Sequence, residues 1–139
     1  MSYIPKHIDD FKVGDFNEFT KTITETDVVM FAGIVNDFNP LHMDETYAKT
    51  TMFGTRIAHG ALVESYLSGV TGQLLGMGSI HVSHTMGFPA PTRIGDTITA
   101  RAEIKEIIYD RRRVVVHQTC TNQDGVIVAE GETIGKVAK

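Results

Sequence analysis

From Gly60 to about Leu75, apolar residues fall almost all round the helical wheel: Ala61, Leu62, Val63, Tyr66, Leu67, Val70, Leu74 and Leu75, with Glu64 as the only charge. A helix apolar on every face is buried on every face, so this segment is predicted to be a central helix. Residues 98–104 follow another rule. Ile98, Ala100, Ala102 and Ile104 alternate with Thr99, Arg101 and Glu103, which is the period of a half-buried strand. The rest of the C-terminal half also reads as strands. Turns are marked by Arg93 to Asp96 and by Asn122 to Gly125, and an Asp-Gly pair is a good hairpin signal. Upstream, residues 11–23 read as a turn and a short strand. Thr24 or Thr26 caps a helix running to about Val35, and Thr24 with Asp27 gives a loose capping box. Asp44 caps a short helix through Ala48, and residues 50–58 form a loop containing Gly54. One buried helix followed by an antiparallel meander implies a sheet wrapped around that helix. The expected class is α+β, in a single domain covering residues 1–139.

Candidate chemistry gathers between the first helix and the next. Asp37 stands five residues before His42, with Asn39 and Pro40 between them. Pro40 lacks an N–H and pushes Asn39 out of the helical region. The pair is therefore expected on a rigid bend at a helix end, where both side chains can aim at one point. A carboxylate and an imidazole so aimed can hold and activate water. The rival reading is an ordinary turn with a surface histidine beside it. Asn39 is expected to brace the loop through side-chain hydrogen bonds.

Composition narrows the possibilities. The formal net charge is −4 over 139 residues, which argues against nonspecific nucleic-acid binding. No apolar run is long enough to span a membrane. The stretch MSYIPKHIDDF has neither an apolar core nor a basic lead-in, so no secretory signal is expected and cytoplasmic residence is the default. The single cysteine, Cys120, lies in an apolar strand candidate and reads as a small buried hydrophobe.

The run DFNPLH followed by MDETYA, ending on Ala48, resembles the hydratase-2 motif of the MaoC-like dehydratases, the (R)-specific enoyl-CoA hydratases. RIAHGALVESYLSG, from Arg56 to Gly69, resembles the start of that family's central helix. GSIHVSHTMGFPAPTRIGDTI, from Gly78 to Ile98, resembles its following long strand. The resemblance runs from about residue 10 to the C-terminus. Asn36 departs from it, because many members carry Gly there. Gly suits a left-handed backbone, and Asn is the next most tolerant residue. The resemblance implies a hot-dog fold, with an antiparallel sheet around a buried helix. It implies hydration of a trans-2-enoyl-CoA to an (R)-3-hydroxyacyl-CoA, catalysed by Asp37 and His42. The Gly60 N–H would serve as the oxyanion donor and Ser68 would hydrogen-bond around Asp37. The competing role of Gly60 is close packing of helix against sheet. That of Ser68 is a bond to its own backbone. No metal and no cofactor is expected, with coenzyme A entering only as part of the substrate. The open edge of a curled sheet points to a homodimer.

Several other residues have a plainer role beside a functional one. His59 is expected to be structural. Tyr66, Val70, Leu74 and Met77 are candidates for the wall of an acyl pocket. Glu64 would be the carboxylate of a hot-dog acyl-CoA thioesterase; its plainer role is an ion pair or a solvent-facing position at the helix start. A non-catalytic acyl-CoA-binding module is a further alternative. His81 and His84 are three apart, which on a regular strand puts them on opposite faces, so a metal site there is not expected. Arg111, Arg112 and Arg113 are either a solvated charge run or a grip on coenzyme A phosphates.

Overall fold

Ile98, Ala100, Ala102 and Ile104 are at most 1% exposed, as their alternation predicts, and they lie in the longest strand of an antiparallel sheet. The computed structural model describes residues 5–138. In chain order the elements are β1 (Phe16–Thr22), α1 (Glu25–Val35), α2 (Pro40–Met43), α3 (Glu45–Ala48), α4 (Gly60–Leu75), β2 (Ile80–Gly87), β3 (Thr97–Ile108), β4 (Arg113–Thr121) and β5 (Ile127–Lys136). The five strands form one sheet in the order β1-β3-β4-β5-β2. α4 packs onto one face of it. Leu62, Val63, Leu67, Val70 and Leu74 meet Ile98, Ala100, Val114, Val116 and Val128 in a single core. Each such side chain contributes about 1.5–3 kcal/mol when fully buried.

The helix is not buried all round. Ala61, Ser65, Ser68, Gly69 and Gly72 form an exposed stripe along α4. Small residues add little apolar area to a helical face, and five strands do not close around a helix. The expectation of protein on every side is corrected accordingly. The sheet also has two outer strands, β1 and β2. The segment expected as one long strand is the eight residues of β2 followed by the loop 88–96.

Local signals place the excursion between β1 and α4. Thr24 and Asp27 close a reciprocal capping box on α1. That helix ends on Asn36 at φ 59°, a left-handed conformation that Asn tolerates. Asp44 caps α3. The excursion returns to the sheet through Ala58, whose N–H donates to the Thr92 carbonyl at 2.8 Å.

Strand β2 lies so close to β5 that a methyl group at Gly131 would run into the Thr85 carbonyl oxygen. Gly131→Ala should therefore destabilise the protein by about 1–3 kcal/mol, as overpacking does. Denaturant unfolding checks this, and an unchanged midpoint would contradict the close approach.

Candidate active site

The bend between α1 and α2 is built by Asn39. Its side-chain oxygen accepts from the Leu41 N–H at 3.0 Å, and its carbonyl accepts from the His42 N–H at 2.9 Å. Its own N–H donates to Asp37 Oδ1 at 3.2 Å. One residue thus ties the aspartate to the one-turn helix that carries the histidine, with Pro40 opening that helix. Arg56 adds a second brace. Its Nε donates to the His42 carbonyl at 2.5 Å, and its guanidinium pairs with Glu25 of α1.

His42 Nδ1 lies 2.8 Å from the Ile57 carbonyl. A carbonyl only accepts, so Nδ1 carries the proton and the neutral ring keeps a lone pair on Nε2. Burial lowers the pKa of His42 below its usual 6.5; the Ile57 hydrogen bond works against that shift. His59 is 2% exposed. Its Nε2 donates to the Asp37 carbonyl at 3.0 Å. Its ring stacks on His42 with centroids 3.9 Å apart and packs against Phe31 at 5.2 Å. His59 Nδ1 is buried without a partner.

Ligand atoms of Asp37, His42 and His59 lie within 4.8 Å of one another. A water bonded to two of them at ~2.8 Å each would span such a gap. Two imidazoles and a carboxylate also make a conceivable metal-ligand set. His59 Nε2, however, carries its proton toward the Asp37 carbonyl, so in this tautomer that nitrogen offers no lone pair to a cation. Beside the cluster, Gly60 is the first residue of α4. Its N–H has no protein partner among the described residues. A Cβ at Gly60 would meet the Phe88 ring at 3.0–3.3 Å. Close packing and a free donor therefore coexist at this glycine. Two clefts flank this first turn. One of about 640 Å³ runs along the exposed stripe of α4, past Phe31, Glu64, Ser68, His84 and Gln118. The other, of about 540 Å³, lies over Gly60 and Phe88.

Comparison with known proteins gives the family. The family described as "MaoC like domain" matches residues 14–125. The chain belongs to the MaoC-like family. An (R)-specific enoyl-CoA hydratase of Rhodospirillum rubrum is 43% identical, over 91% of this chain and 88% of that protein. A 3-hydroxybutyryl-CoA dehydratase of Methylorubrum extorquens is 42% identical, over 96% of this chain and 85% of that protein. The solved structure of an (R)-hydratase from A. caviae superposes with a TM-score of 0.88 at 34% identity, covering 92% of this chain and 98% of that one. The hot-dog fold follows from these neighbours.

In this MaoC-like chain Asp37, Asn39, His42 and Gly60 come together at the α1–α2 bend and the first turn of α4. Ser68 lies two turns further on and lines the large cleft. Among the described residues it makes no hydrogen bond to Asp37; Ser65, not Ser68, bonds back to its own helix, at the Leu62 carbonyl. The acyl-pocket candidates do not line that cleft. Tyr66 packs edge-on against Phe19, Val70 and Leu74 are core residues, and Met77 is exposed beyond the helix end. Positions 66, 70 and 74 follow the sheet-facing side of α4, whereas 61, 64, 68 and 72 follow the open side.

Glu64 is ion-paired with His84 at 2.5 Å, in line with its plainer role. His81 and His84 are not on opposite faces. A register shift between His81 and Ser83 turns both rings into the cleft, 2.8 Å apart. The regular-strand argument fails at that bulge. The three arginines occupy the β3–β4 hairpin, where Arg112 has φ 51°. Cys120 is buried, and burial pushes its thiol up to about 12.

Sequence reasoning gave His59 a structural role, and its burial agrees; the contacts that join it to Asp37 and His42 were not legible. Its position at the start of α4 was the available signal.

The lowered pKa of His42 carries a sign. The folded state binds its proton less readily than the unfolded chain does. The resulting stability is full above pH 6.5 and is lost as pH falls below it. NMR titration should place the His42 midpoint below 6.5. A midpoint above that value would contradict the buried, neutral ring.

Proposed function

We propose that the chain is a hydro-lyase that adds water across a trans-2-enoyl-CoA to give the (R)-3-hydroxyacyl-CoA, and runs the reverse dehydration. The observation that carries this reading is the Asp37–His42 pair, one water's width apart, beside the unpartnered Gly60 N–H. Relatives that are an (R)-specific enoyl-CoA hydratase and a 3-hydroxybutyryl-CoA dehydratase support the same substrate class.

The Gly60 N–H donates to the thioester carbonyl oxygen, where a helix N-terminus favours negative charge. That draws electron density from C3. Water held between Asp37 and His42 attacks C3 as His42 Nε2 takes one of its protons. His42 is the better base of the two because its Nδ1–H is committed to Ile57. The pair then returns a proton to C2, so the sum is addition of H and OH. Acid–base assistance is worth about 10² to 10⁴ in rate. The oxyanion donor is worth about 10² to 10³.

No metal or redox group is used in this scheme, and coenzyme A enters only as part of the substrate. The working form is proposed to be a cytoplasmic homodimer, since β1 and β2 are both outer strands. The thioesterase alternative needs a free Glu64, and the His84 pair ties that carboxylate up. Release of free thiol distinguishes it from hydration. A binding module would show no turnover.

Loss of enoyl absorbance on incubation with crotonyl-CoA tests the reading. Asp37→Asn and His42→Gln should each lower turnover by at least ~10²-fold with the fold intact. Near-wild-type hydration by either variant would sink the assignment. Polar groups, among them Glu64, Ser68, Thr71 and Gln118, interrupt the mostly apolar cleft along α4. We expect enoyl groups of C4 to C6, which need not pass them all, to give higher kcat/KM than C12. The reverse order would contradict the placement of the acyl chain but not the hydration.

A further inference from the structure

We propose that the cleft over Gly60 and Phe88 receives the thiol arm of the coenzyme A thioester, and that the Arg93 guanidinium beside that cleft meets the phosphates. The proposal rests on the hydratase reading of Gly60 and adds which cleft takes which half of the substrate.

A thioester carbon carries the acyl chain on one side and the sulfur on the other. With the carbonyl oxygen at the Gly60 N–H, the two arms leave in diverging directions. Two clefts meet at this point, since Ala61 lines both. Histidines apart, the only charged side chain along the α4 cleft is Glu64. A carboxylate there repels phosphate, so that cleft suits the acyl half. The other cleft, of about 540 Å³, has no charged side chain in its wall. Phe53, Phe88, Pro89 and Pro91 make it largely apolar, which suits a slender, uncharged chain. It also begins at the oxyanion donor. The Phe88 ring lies so close to Gly60 that a Cβ there would meet it at 3.0–3.3 Å, yet Phe88 is 48% exposed. One part of the ring packs on Gly60 and the rest is open to a ligand.

The positive charge stands beside this apolar cleft. Arg93 is exposed, and its Nη1 donates to the carbonyl of Phe53, a residue of the cleft wall, at 3.1 Å. That anchor leaves the other guanidinium N–H groups free. Among the described residues the Arg93 guanidinium pairs with no carboxylate, whereas Arg56 and Arg101 are paired with Glu25, Glu18 and Glu103. Asp96 is near, but its oxygens take the Arg93 backbone N–H and the Gln123 amide. Arg93 bridges to Ile57, and the chain from Ile57 to Gly60 spans at most about 11 Å. An extended thiol arm covers such a distance, and a guanidinium fork matches phosphate oxygens. The run Arg111 to Arg113 stands at the other end of the sheet. Arg113 pairs with Lys136 and Lys136 with Ile80, the first residue of β2. Phe88 follows the last of the eight residues of β2, about 20 Å away. Phosphates held at that hairpin would draw the thiol arm past Glu64.

Hydration of crotonyl-CoA and of crotonyl-pantetheine, which lacks the nucleotide and its phosphates, tests the assignment. The quantity read is the ratio of the two kcat/KM values, in which general damage from a substitution cancels. Arg93→Gln should lower the preference for the coenzyme A thioester by about three- to tenfold, through KM. The Arg111→Gln/Arg112→Gln/Arg113→Gln triple variant should keep the wild-type preference. A preference that survives Arg93→Gln, or that is lost in the triple variant, would overturn the proposal. In the wild type, coenzyme A added to the full chain should shift the NMR amide signals of Phe88, Ala90 and Arg93 and leave those of Ser79 and Ile80 in place. Shifts at Ser79 and Ile80 instead, or no shifts at all, would also overturn it. Shifts at Phe88 and Arg93 without any hydration of crotonyl-CoA would sink the hydratase reading and leave the coenzyme A site standing.

Discussion

The junction between the α1–α2 bend and the first turn of α4 is the contact on which the site depends, and His59 makes it. Its ring is the flat surface on which His42 stacks. Its N–H holds the Asp37 carbonyl in place. Phe31 of α1 closes the far side. Because His59 also opens α4, the same residue sets Asp37 and His42 against the Gly60 N–H. The arrangement leaves one buried imidazole nitrogen unpaired. A buried polar atom without a partner costs about 1–3 kcal/mol, comparable to the gain from burying one core leucine. A few side chains such as Leu67 and Val63, each 1% exposed, offset that cost.

The sheet provides the rigid half of the arrangement. Its core strands hold α4 by one face only. The opposite, small-residue face of the helix is left along the large cleft. That asymmetry separates two polar neighbourhoods. Near the helix start, burial favours the neutral ring of His42. One turn along, Glu64 faces the His81–His84 pair of β2.

Much of this was legible before any coordinates. The alternation at 98–104 gives the buried face of β3, and Thr24 with Asp27 marks the start of α1. Pro40 after Asn39 forces the bend that carries Asp37 and His42. Three details of placement differ from the sequence expectation for physical reasons. The wheel of α4 counts Ala61 with the larger apolar residues, and within the chain that small residue is exposed. Tyr66, Val70 and Leu74 face the sheet and not the cleft, because sequence does not say which side of the helix the sheet takes. The His81–His84 pair was discounted on strand periodicity, and nothing local in the sequence marks the bulge that breaks it. The contacts of His59 with Asp37 and His42 span 22 and 17 positions, beyond any local pattern.

The central claim is that Asp37 and His42 act on a single water as one unit. The most direct measurement is the turnover of the Asp37→Asn/His42→Gln double variant with crotonyl-CoA, compared with the two single variants. Groups that act as a unit are strongly non-additive. The account predicts that the double variant is scarcely slower than the slower single variant. A double variant slowed by the product of the two single effects would show independent roles and contradict it.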